Sequence, residues 1–421
     1  MHLGEKIKEI RRYLGLSQEN IAHSTGSSVA TISRIERGQA ECSAEMLRAI
    51  KTAMGVDMAP LMDDELVSYH ERLYVWGQLM ADRRMDEALD MRQDLSVIQN
   101  LPYELGMNLL YKQFDIYLQL TEGKYDAASK GLDEIAGGFN DFTGEQKYHY
   151  YSAQSTLYFR REDYCNGLAM SLKCLELKEH WRGNLASVYY RVATNYSGLN
   201  RPFAAIIYLE EARRHHKTDD RLSILGVFID HVLSANLLCI GELDRAKPLL
   251  DAALLRAEGI GRKMGRKKYI GMILHQLGIY WRKKNDNTQA LAYFDRAFEF
   301  FWPGGLDYLE NCYQKARVLI GERRHDEARG LIDEAMRAER HVKFFVMYEG
   351  LLHLMTLRET ESQEYLQHTV IPYLISKHEY FISLDFCEQL EEQYKKNGNG
   401  RKPLEIAAVA RDIYAKIVSG C

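Results

Sequence analysis

The stretch GSSVATISRIERG, residues 26–38, combines small side chains with two arginines at helical spacing. Val29 and Ala30 offer only close apolar contact, whereas Arg34 and Arg37 carry guanidinium groups. A guanidinium can donate paired hydrogen bonds to a phosphate or to the edge of a guanine base. A helix built mainly for stability would instead favour Glu, Lys, Ala and Leu at such positions. We therefore expect this stretch to contact another molecule.

Four short helices are predicted to position this stretch. The first carries apolar side chains spaced by four, three and four residues, namely Leu3, Ile7, Ile10 and Leu14. Serine hydroxyls accept hydrogen bonds from free amides at a helix start, and serines precede the next three helices: Ser17, Ser27 or Ser28, and Ser43. Gly15, Gly26 and Gly38 are placed to end helices, because glycine adopts the left-handed geometry common there. Short helices joined by a glycine-containing turn are typical of the helix-turn-helix.

The order LGLSQENIAHSTGSSVATISRIERGQAECSAEMLRAI resembles the XRE-type, phage-repressor-like DNA-binding family over residues 3–60. The matching positions are Leu16-Ser17-Gln18, Ile21-Ala22, Gly26, Thr31-Ile32-Ser33, Ile35-Glu36, Gly38, Leu47 and Ile50. The resemblance implies that the third helix enters the major groove and that its first amides and Ser28 lie near phosphates. The implied DNA-contacting residues are Gln18, Ser28, Val29, Ala30, Thr31, Arg34 and Arg37.

The resemblance also implies a role for individual side chains. Val29 and Ala30 are expected to pack on thymine methyl groups, and Arg34 to donate two hydrogen bonds to guanine. Gln18 and Thr31 are expected to contact phosphates or base edges. The alternative is that Thr31 and Arg34 are simply solvated.

Arg11 and Glu36 fall where this family commonly has a buried ion pair between the first and third helices. We expect the pair to be scaffold that orients the recognition helix. Residues 1–60 contain eight Lys or Arg against seven Asp or Glu. With so little positive charge one copy should bind DNA weakly, so we expect a homodimer, or a higher homo-oligomer, reading an inverted repeat of double-stranded DNA.

Composition predicts an all-α fold for the chain. Of its 421 residues 46% are hydrophobic and 27% charged, as in globular proteins, and only seven are prolines. Helical periodicity is common and β-branched alternation is scarce. The net charge of −4 gives no global sign of a nucleic-acid binder, but a small DNA-reading module can be joined to an acidic body.

Several functional classes are excluded by the pattern of reactive residues. The seven cysteines are scattered without a C-x-x-C pair, which indicates a reducing cytosol and argues against a disulfide framework or a metal site. The start MHLGEKIKEIRR does not read as a signal peptide, and no apolar run reaches the roughly 18 residues of a membrane span. We therefore predict a cytoplasmic protein with no membrane partner, no metal, no cofactor, no catalytic residues and no enzymatic activity.

A small residue near the start of a helix recurs beyond residue 67, at intervals of 38–44 residues. These anchor residues are Ala88, Ala128, Gly167, Ala205, Ala246, Ala290 and Ala328. Small residues there let paired helices approach closely, and the pattern resembles an extended tetratricopeptide repeat. We predict a helix-turn-helix domain at 1–60, a linker at 61–67, and at 68–421 a superhelical array of about nine helix pairs; a bundle of unrelated helices is the alternative.

In such repeats the first helix of each pair lines a concave groove. Counting back from the anchors places there Gln113, Tyr117, Ser152, Tyr190, His231, His275, Arg282, Tyr313 and Arg317, with Asn195 and Asn236 beside them. Amide, hydroxyl and imidazole groups can bind the backbone of an extended peptide, and arginines can bind its carboxylate. Each of these residues could equally be a solvated or core-capping polar group.

A repressor-type helix-turn-helix followed by such an array resembles the peptide-pheromone-responsive regulators of Gram-positive bacteria, the Rap, Rgg, NprR, PlcR and PrgX group. The predicted number of helix pairs is more like that of NprR than of the shorter PlcR. The resemblance implies a quorum-sensing transcription regulator that is switched by a short signalling peptide in the groove. The alternative is a Rap-like adaptor that sequesters a response regulator.

Overall fold

The computed structural model describes residues 3–55, 63–100, 105–216, 223–260, 267–338, 341–356, 358–398 and 400–419. The chain divides into two compact units, Met1–Leu157 and Tyr158–Cys421. All regular elements of the described residues are helical, so the all-α prediction is confirmed.

The first unit contains the four short N-terminal helices and the first helices of the array. The short helices are α1 (Leu3–Tyr13), α2 (Gln18–Thr25), α3 (Val29–Glu36) and α4 (Ala44–Met54). They are followed by α5 (Asp63–Ala81), α6 (Met85–Leu95), α7 (Leu105–Thr121), α8 (Tyr125–Ala136) and α9 (Gly144–Arg160), which runs to the boundary.

The second unit continues the alternation of helices. Its helices are α10 (Tyr164–Glu176), α11 (Leu185–Gly198), α12 (Pro202–His215), α13 (Ile224–Cys239), α14 (Leu243–Gly259), α15 (Lys267–Lys283), α16 (Asn287–Phe298), α17 (Leu306–Gly321), α18 (His325–Ala338), α19 (Val342–Met355), α20 (Thr360–Tyr365), α21 (Ile371–Ser376), α22 (Tyr380–Lys396) and α23 (Lys402–Ser419). A π-helical turn, Leu366–Val370, joins α20 to α21.

The four short helices surround a core of isoleucines, Ile7, Ile10, Ile21, Ile32 and Ile50, each at most 1% exposed. Their starts are capped as predicted: the side chains of Ser17, Ser28 and Ser43 each accept a hydrogen bond from a backbone amide three residues later. Leu3 and Leu14 differ from the prediction, being 39% and 37% exposed. Leu3 is the first residue of α1 and Leu14 follows its last residue, so both lie beyond the core.

The predicted anchor residues are all buried, and each is the fourth residue of its helix. Five positions before each anchor the backbone has a positive φ, at Arg83, Gly123, Glu162, Asn200, Gly241, Asn285 and Arg323. The next amide bonds back across the turn in every case, as from Arg84 to the Leu79 carbonyl at 2.8 Å. This is the Schellman ending of the preceding helix, so each anchor is set by one recurring turn.

An eighth turn of the same kind lies near the C-terminus. His378 has a φ of 61°, the Glu379 amide bonds back to the Leu374 carbonyl at 2.9 Å, and Ser383 takes the anchor position with no exposed surface. The sequence pattern missed this anchor because it is serine and because α19–α21 lengthen the interval from Ala328 to 55 residues.

The predicted linker, 61–67, is helical from Asp63 onward because α5 begins there, while residues 61–62 lie outside the described residues. The boundary at residue 60 also lies outside them and stays a prediction. The boundary between the two compact units, after Leu157, lies within the array. Repeat spacing carries no sign of that boundary, since the anchors run through it at an even interval.

Candidate functional site

The leading end of α3 presents the residues predicted to contact DNA. Ser28, Val29, Ala30, Arg34 and Arg37 are exposed. Because this end of the helix carries free amides and only small side chains, it can approach a phosphate backbone or a base edge closely.

Thr31 is half-buried beside the same helix start. The Ser28 hydroxyl oxygen accepts a hydrogen bond from the Thr31 amide at 3.1 Å and lies 2.9 Å from the Thr31 hydroxyl. At the other end of α3, Arg37 Nη2 donates to the Ser33 hydroxyl at 3.0 Å. These contacts fix both ends of the exposed face.

A buried ion pair holds this surface in place. Arg11 Nε lies 2.5 Å from Glu36 Oε1, and Arg11 Nη2 donates to Glu36 Oε2 at 3.0 Å. Arg11 also donates to the Leu16 carbonyl at 2.7 Å. The residues are 8% and 2% exposed. The predicted scaffold pair therefore exists, and it ties α3 to α1.

Gln18 has a different place from the other predicted DNA-contacting residues. Its Nε2 donates to Glu36 Oε2 at 2.7 Å, and the residue is half-buried at the start of α2. In this structure its side-chain amide therefore belongs to the scaffold around Glu36.

The second unit contains a cavity of 860 Å³ between successive first helices and the C-terminal helix pair. We call it the inner cavity. One wall is formed by side chains one or two turns apart on α15 and α17, namely Gln276, Ile279, Arg282, Lys283, Glu310, Gln314 and Arg317. The opposite wall is formed by α22 and α23, with Phe381, Ile382, Leu384, Asp385, Glu388, Glu391, Ala410, Tyr414, Ile417 and Val418. Two of the predicted peptide-binding residues, Arg282 and Arg317, thus line one cavity.

Contacts across the inner cavity hold α22 against the array. Arg317 Nη2 lies 2.5 Å from Asp385 Oδ2. Lys343 Nζ lies 2.9 Å from Glu379 Oε1 at the start of α22. Asn200 donates through its side-chain amide to the His378 carbonyl.

The two arginines of the inner cavity differ in their surroundings. Arg317 pairs with Asp385, and its guanidinium lies 5.8 Å from the centre of the Tyr313 ring. Burial, with a further contribution from Arg317, lowers the pKa of Arg282 to about 10.

The other predicted peptide-binding residues lie in contacts between or within helices. Three are amides: Gln113 Nε2 donates to the Gln146 carbonyl at 2.9 Å, Asn195 Nδ2 to the Arg191 carbonyl at 3.0 Å, and Asn236 Nδ2 to the Ser197 hydroxyl at 3.0 Å. All three are at most 4% exposed. Such side chains fix the register of neighbouring helices, which leaves them little surface for a ligand.

The remaining six predicted residues are also enclosed by their neighbours, and Ser152 and Tyr190 among them are 5% and 6% exposed. Tyr117 is part of the apolar core of the first unit, and Tyr313 is 1% exposed. His275 Nδ1 is hydrogen-bonded to Asn311 Oδ1 at 2.9 Å. Burial, with a further contribution from His275, lowers the pKa of His231 to about 4. The counting from the anchors found the first helices correctly but did not separate their cavity face from their packing face.

Sequence reasoning missed the acidic wall contributed by α22. Asp385, Glu388 and Glu391 recur every three residues and line the inner cavity together. That spacing was a signal for one helical face. It could be assigned to a cavity only with knowledge that α22 lies opposite α15 and α17.

Within the described ranges no group of three or more His, Cys, Asp or Glu side chains is arranged to hold a metal ion. Nor does any helix in those ranges combine the length and the apolar character that crossing a membrane requires.

Comparison with known proteins identifies the N-terminal part directly. A helix-turn-helix family matches residues 7–61, so the predicted helix-turn-helix fold is confirmed there. No curated protein matches the chain.

Solved structures match nearly the whole chain at low identity. The apo form of the quorum sensor NprR from B. thuringiensis is 17% identical, with 82% of this chain and 99% of that chain covered and a TM-score of 0.64. NprR in complex with its cognate peptide NprX gives 17% identity, 82% and 98% coverage and a TM-score of 0.65. A Rap protein complexed with competence and sporulation factor gives 14% identity, 84% and 99% coverage and a TM-score of 0.71.

The predicted resemblance to NprR and Rap is thus confirmed for the fold. The chain has a helix-turn-helix domain at residues 7–61 and the overall fold of the NprR and Rap proteins.

Proposed function

We propose that this chain is a cytoplasmic transcription regulator that binds operator DNA through α3 and is switched by a short signalling peptide. It acts as a homodimer on an inverted repeat. The peptide occupies the inner cavity and contacts Arg282 there, while Arg317 and Asp385 close the cavity. The observation that carries the proposal is that one chain has both an exposed helix α3, held by a buried ion pair, and a large, partly open cavity rich in charged groups.

The DNA-binding half rests on the surface of α3. Its exposed residues are small at the leading end and basic further along, which suits major-groove contact. The buried Arg11–Glu36 pair fixes the orientation of this helix, so its side chains are preorganised for one register on DNA.

The peptide-binding half rests on the chemistry of the inner cavity. Its 860 Å³ lies within the range of ligand sites, and apolar side chains such as Ile279, Ile382 and Tyr414 alternate there with charged and amide groups. The fold is shared with NprR, whose solved complex contains its peptide NprX. A peptide can shift the regulator between states only by binding one state more tightly than the other.

Selection of random duplex DNA by the purified chain, with and without pooled peptides, tests the proposal. We expect enrichment of an inverted repeat with half-sites about one turn apart or a multiple of it. No enrichment under either condition would contradict DNA binding and favour the Rap-like adaptor that grips a response regulator.

Arg34→Ala is expected to relax base preference at one position of each half-site, with a loss of about 1–3 kcal/mol of discrimination. Arg34 is exposed on α3 and its side chain forms only a weak 3.4 Å bond to the Ala30 carbonyl, so removing it leaves the fold intact. The measurement is the Kd for the selected DNA and for single-base variants of it.

Arg48→Ala is the matched control. Arg48 is an exposed arginine of the same domain, but it lies on α4. Its removal should keep the order of preference among the base variants. An unchanged base preference in Arg34→Ala would show that Arg34 does not read the sequence.

A further inference from the structure

Arg282 is a largely buried cation without an anion of its own. Its Nε is buried and finds no hydrogen-bond partner in the part of the chain that the structure describes. The side chain projects from α15 into the inner cavity.

The acidic groups near Arg282 are already used by other residues. Asp385 forms its ion pair with Arg317 at 2.5 Å. Glu310 Oε1 accepts a hydrogen bond from Gln314 Nε2 at 3.0 Å. Both carboxylates on this side of the inner cavity thus have hydrogen-bond partners other than Arg282.

This arrangement disfavours the charge on Arg282. Burial removes hydration from the guanidinium, and the nearby Arg317 repels it, which together lower the pKa of Arg282 to about 10. The group stays protonated at neutral pH, so a partly desolvated charge without an ion pair of its own persists in the structure. A carboxylate brought into the cavity would neutralise that charge and could accept two parallel hydrogen bonds.

Apolar side chains on the facing walls define the rest of the ligand. Leu238 and Ile279 lie on the array side of the inner cavity, and Ile382, Tyr414 and Ile417 lie on the α22–α23 side. A carboxylate anchored beside such walls is chemistry that a short peptide with an apolar side chain provides.

We propose that Arg282 is the carboxylate anchor of the inner cavity and that the ligand is a short peptide presenting a free carboxylate next to an apolar side chain. Arg317 is a positioning residue instead, because Asp385 already neutralises it and the pair holds α22 in place. The inference rests on the proposed peptide-binding function and assigns the group of the peptide that is recognised.

Affinity selection with the full-length chain tests this assignment. Three pools of short random peptides are offered: free C-terminal carboxylates without Asp or Glu, C-terminal amides without Asp or Glu, and C-terminal amides with Asp and Glu. We expect binders from a pool that carries carboxylates and none of comparable affinity from the pool that lacks them. The first and third pools distinguish a terminal from a side-chain carboxylate.

The best selected peptide is then titrated against variants. Arg282→Gln should weaken it about 10- to 100-fold, the range for hydrogen bonds to a charged group. Arg282→Lys, which keeps the charge but loses the planar fork, should recover part of this affinity. Lys283→Gln removes the neighbouring charge of the same cavity and should change the affinity less than about 5-fold.

Different failures have different meanings. Equal recovery of binders from the carboxylate-free pool, or unchanged affinity in Arg282→Gln, overturns the anchor while leaving peptide binding in place. An equal loss in Lys283→Gln also overturns it, since a general charge effect would then explain both variants. Absence of binders from every pool contradicts peptide binding itself.

Discussion

Glu36→Ala is expected to destabilise the helix-turn-helix by about 3–5 kcal/mol and to abolish specific DNA binding. The substitution strands Arg11, which is 8% exposed and cannot turn fully into water. It also removes the acceptor of the Gln18 amide. Within residues 3–55 the buried hydrophobic core of this domain has only eight residues, Ile7, Ile10, Ile21, Ala22, Ile32, Ile35, Ile50 and Met54. It cannot absorb a loss of this size, because the whole stability of such a domain is only several kcal/mol.

Amide hydrogen exchange is the suitable measurement for Glu36→Ala. It should show lost protection in α1–α3 together with unchanged protection in the second unit. DNA binding should fail at every sequence, unlike in Arg34→Ala, where only one position is affected. The peptide affinity of the inner cavity should not change, because that cavity is formed entirely by the second unit.

Glu87→Ala is the matched control for the buried pair. Arg84 and Glu87 are also 2.5 Å apart, but their side chains are 49% and 43% exposed. Water replaces the lost partner there, so the expected change is below about 1 kcal/mol. Similar small effects of both substitutions would mean that burial of the Arg11–Glu36 pair does not matter for this domain.

The helix-turn-helix could be predicted almost residue by residue. Its caps at Ser17, Ser28 and Ser43 depend on groups three residues away, and its turns depend on single glycines. Such local chemistry is visible in a linear sequence. The Arg11–Glu36 pair joins residues far apart in the sequence. It was predicted only because the XRE-type family commonly has a buried ion pair at these two positions.

The array could be predicted as a pattern but not as a site. Alanine anchors reveal where helices approach closely, yet they do not say which polar side chain faces a neighbouring helix. Asn236 and His275 both looked like groove residues, but their partners are Ser197 and Asn311, which lie 39 and 36 residues away. A polar residue on a first helix can bind a ligand or bond to the next repeat. Its distance in sequence from the anchor residue is the same in both cases.

The inner cavity depends on a contact that no repeat pattern contains. Asp385 on α22 meets Arg317 on α17, and the side chain of Asn200 meets the backbone of His378. These contacts hold α22 against α17 and against the turn before α12. Counting from the anchors placed Arg282 and Arg317 on first helices, but nothing in the repeat pattern indicates the wall of α22 and α23 opposite them.

Acid is expected to destabilise the second unit through His231. Burial, with a further contribution from His275, lowers the pKa of His231 from 6.5 to about 4. The unfolded chain then takes up a proton below about pH 6.5 that the folded chain resists until about pH 4. The free energy of unfolding is therefore unaffected above pH 6.5 and falls between pH 6.5 and pH 4, by up to about 3 kcal/mol from this residue.

Urea unfolding at a series of pH values, followed by tryptophan fluorescence, measures this dependence. His231→Leu should remove much of the fall between pH 6.5 and pH 4. Nδ1 of His231 has no hydrogen-bond partner among the described residues, so leucine strands no acceptor or donor of that atom. His180→Leu is the control, because His180 is exposed and belongs to the same unit. An equal fall in the wild-type chain and in His231→Leu would place the acid-sensitive group elsewhere.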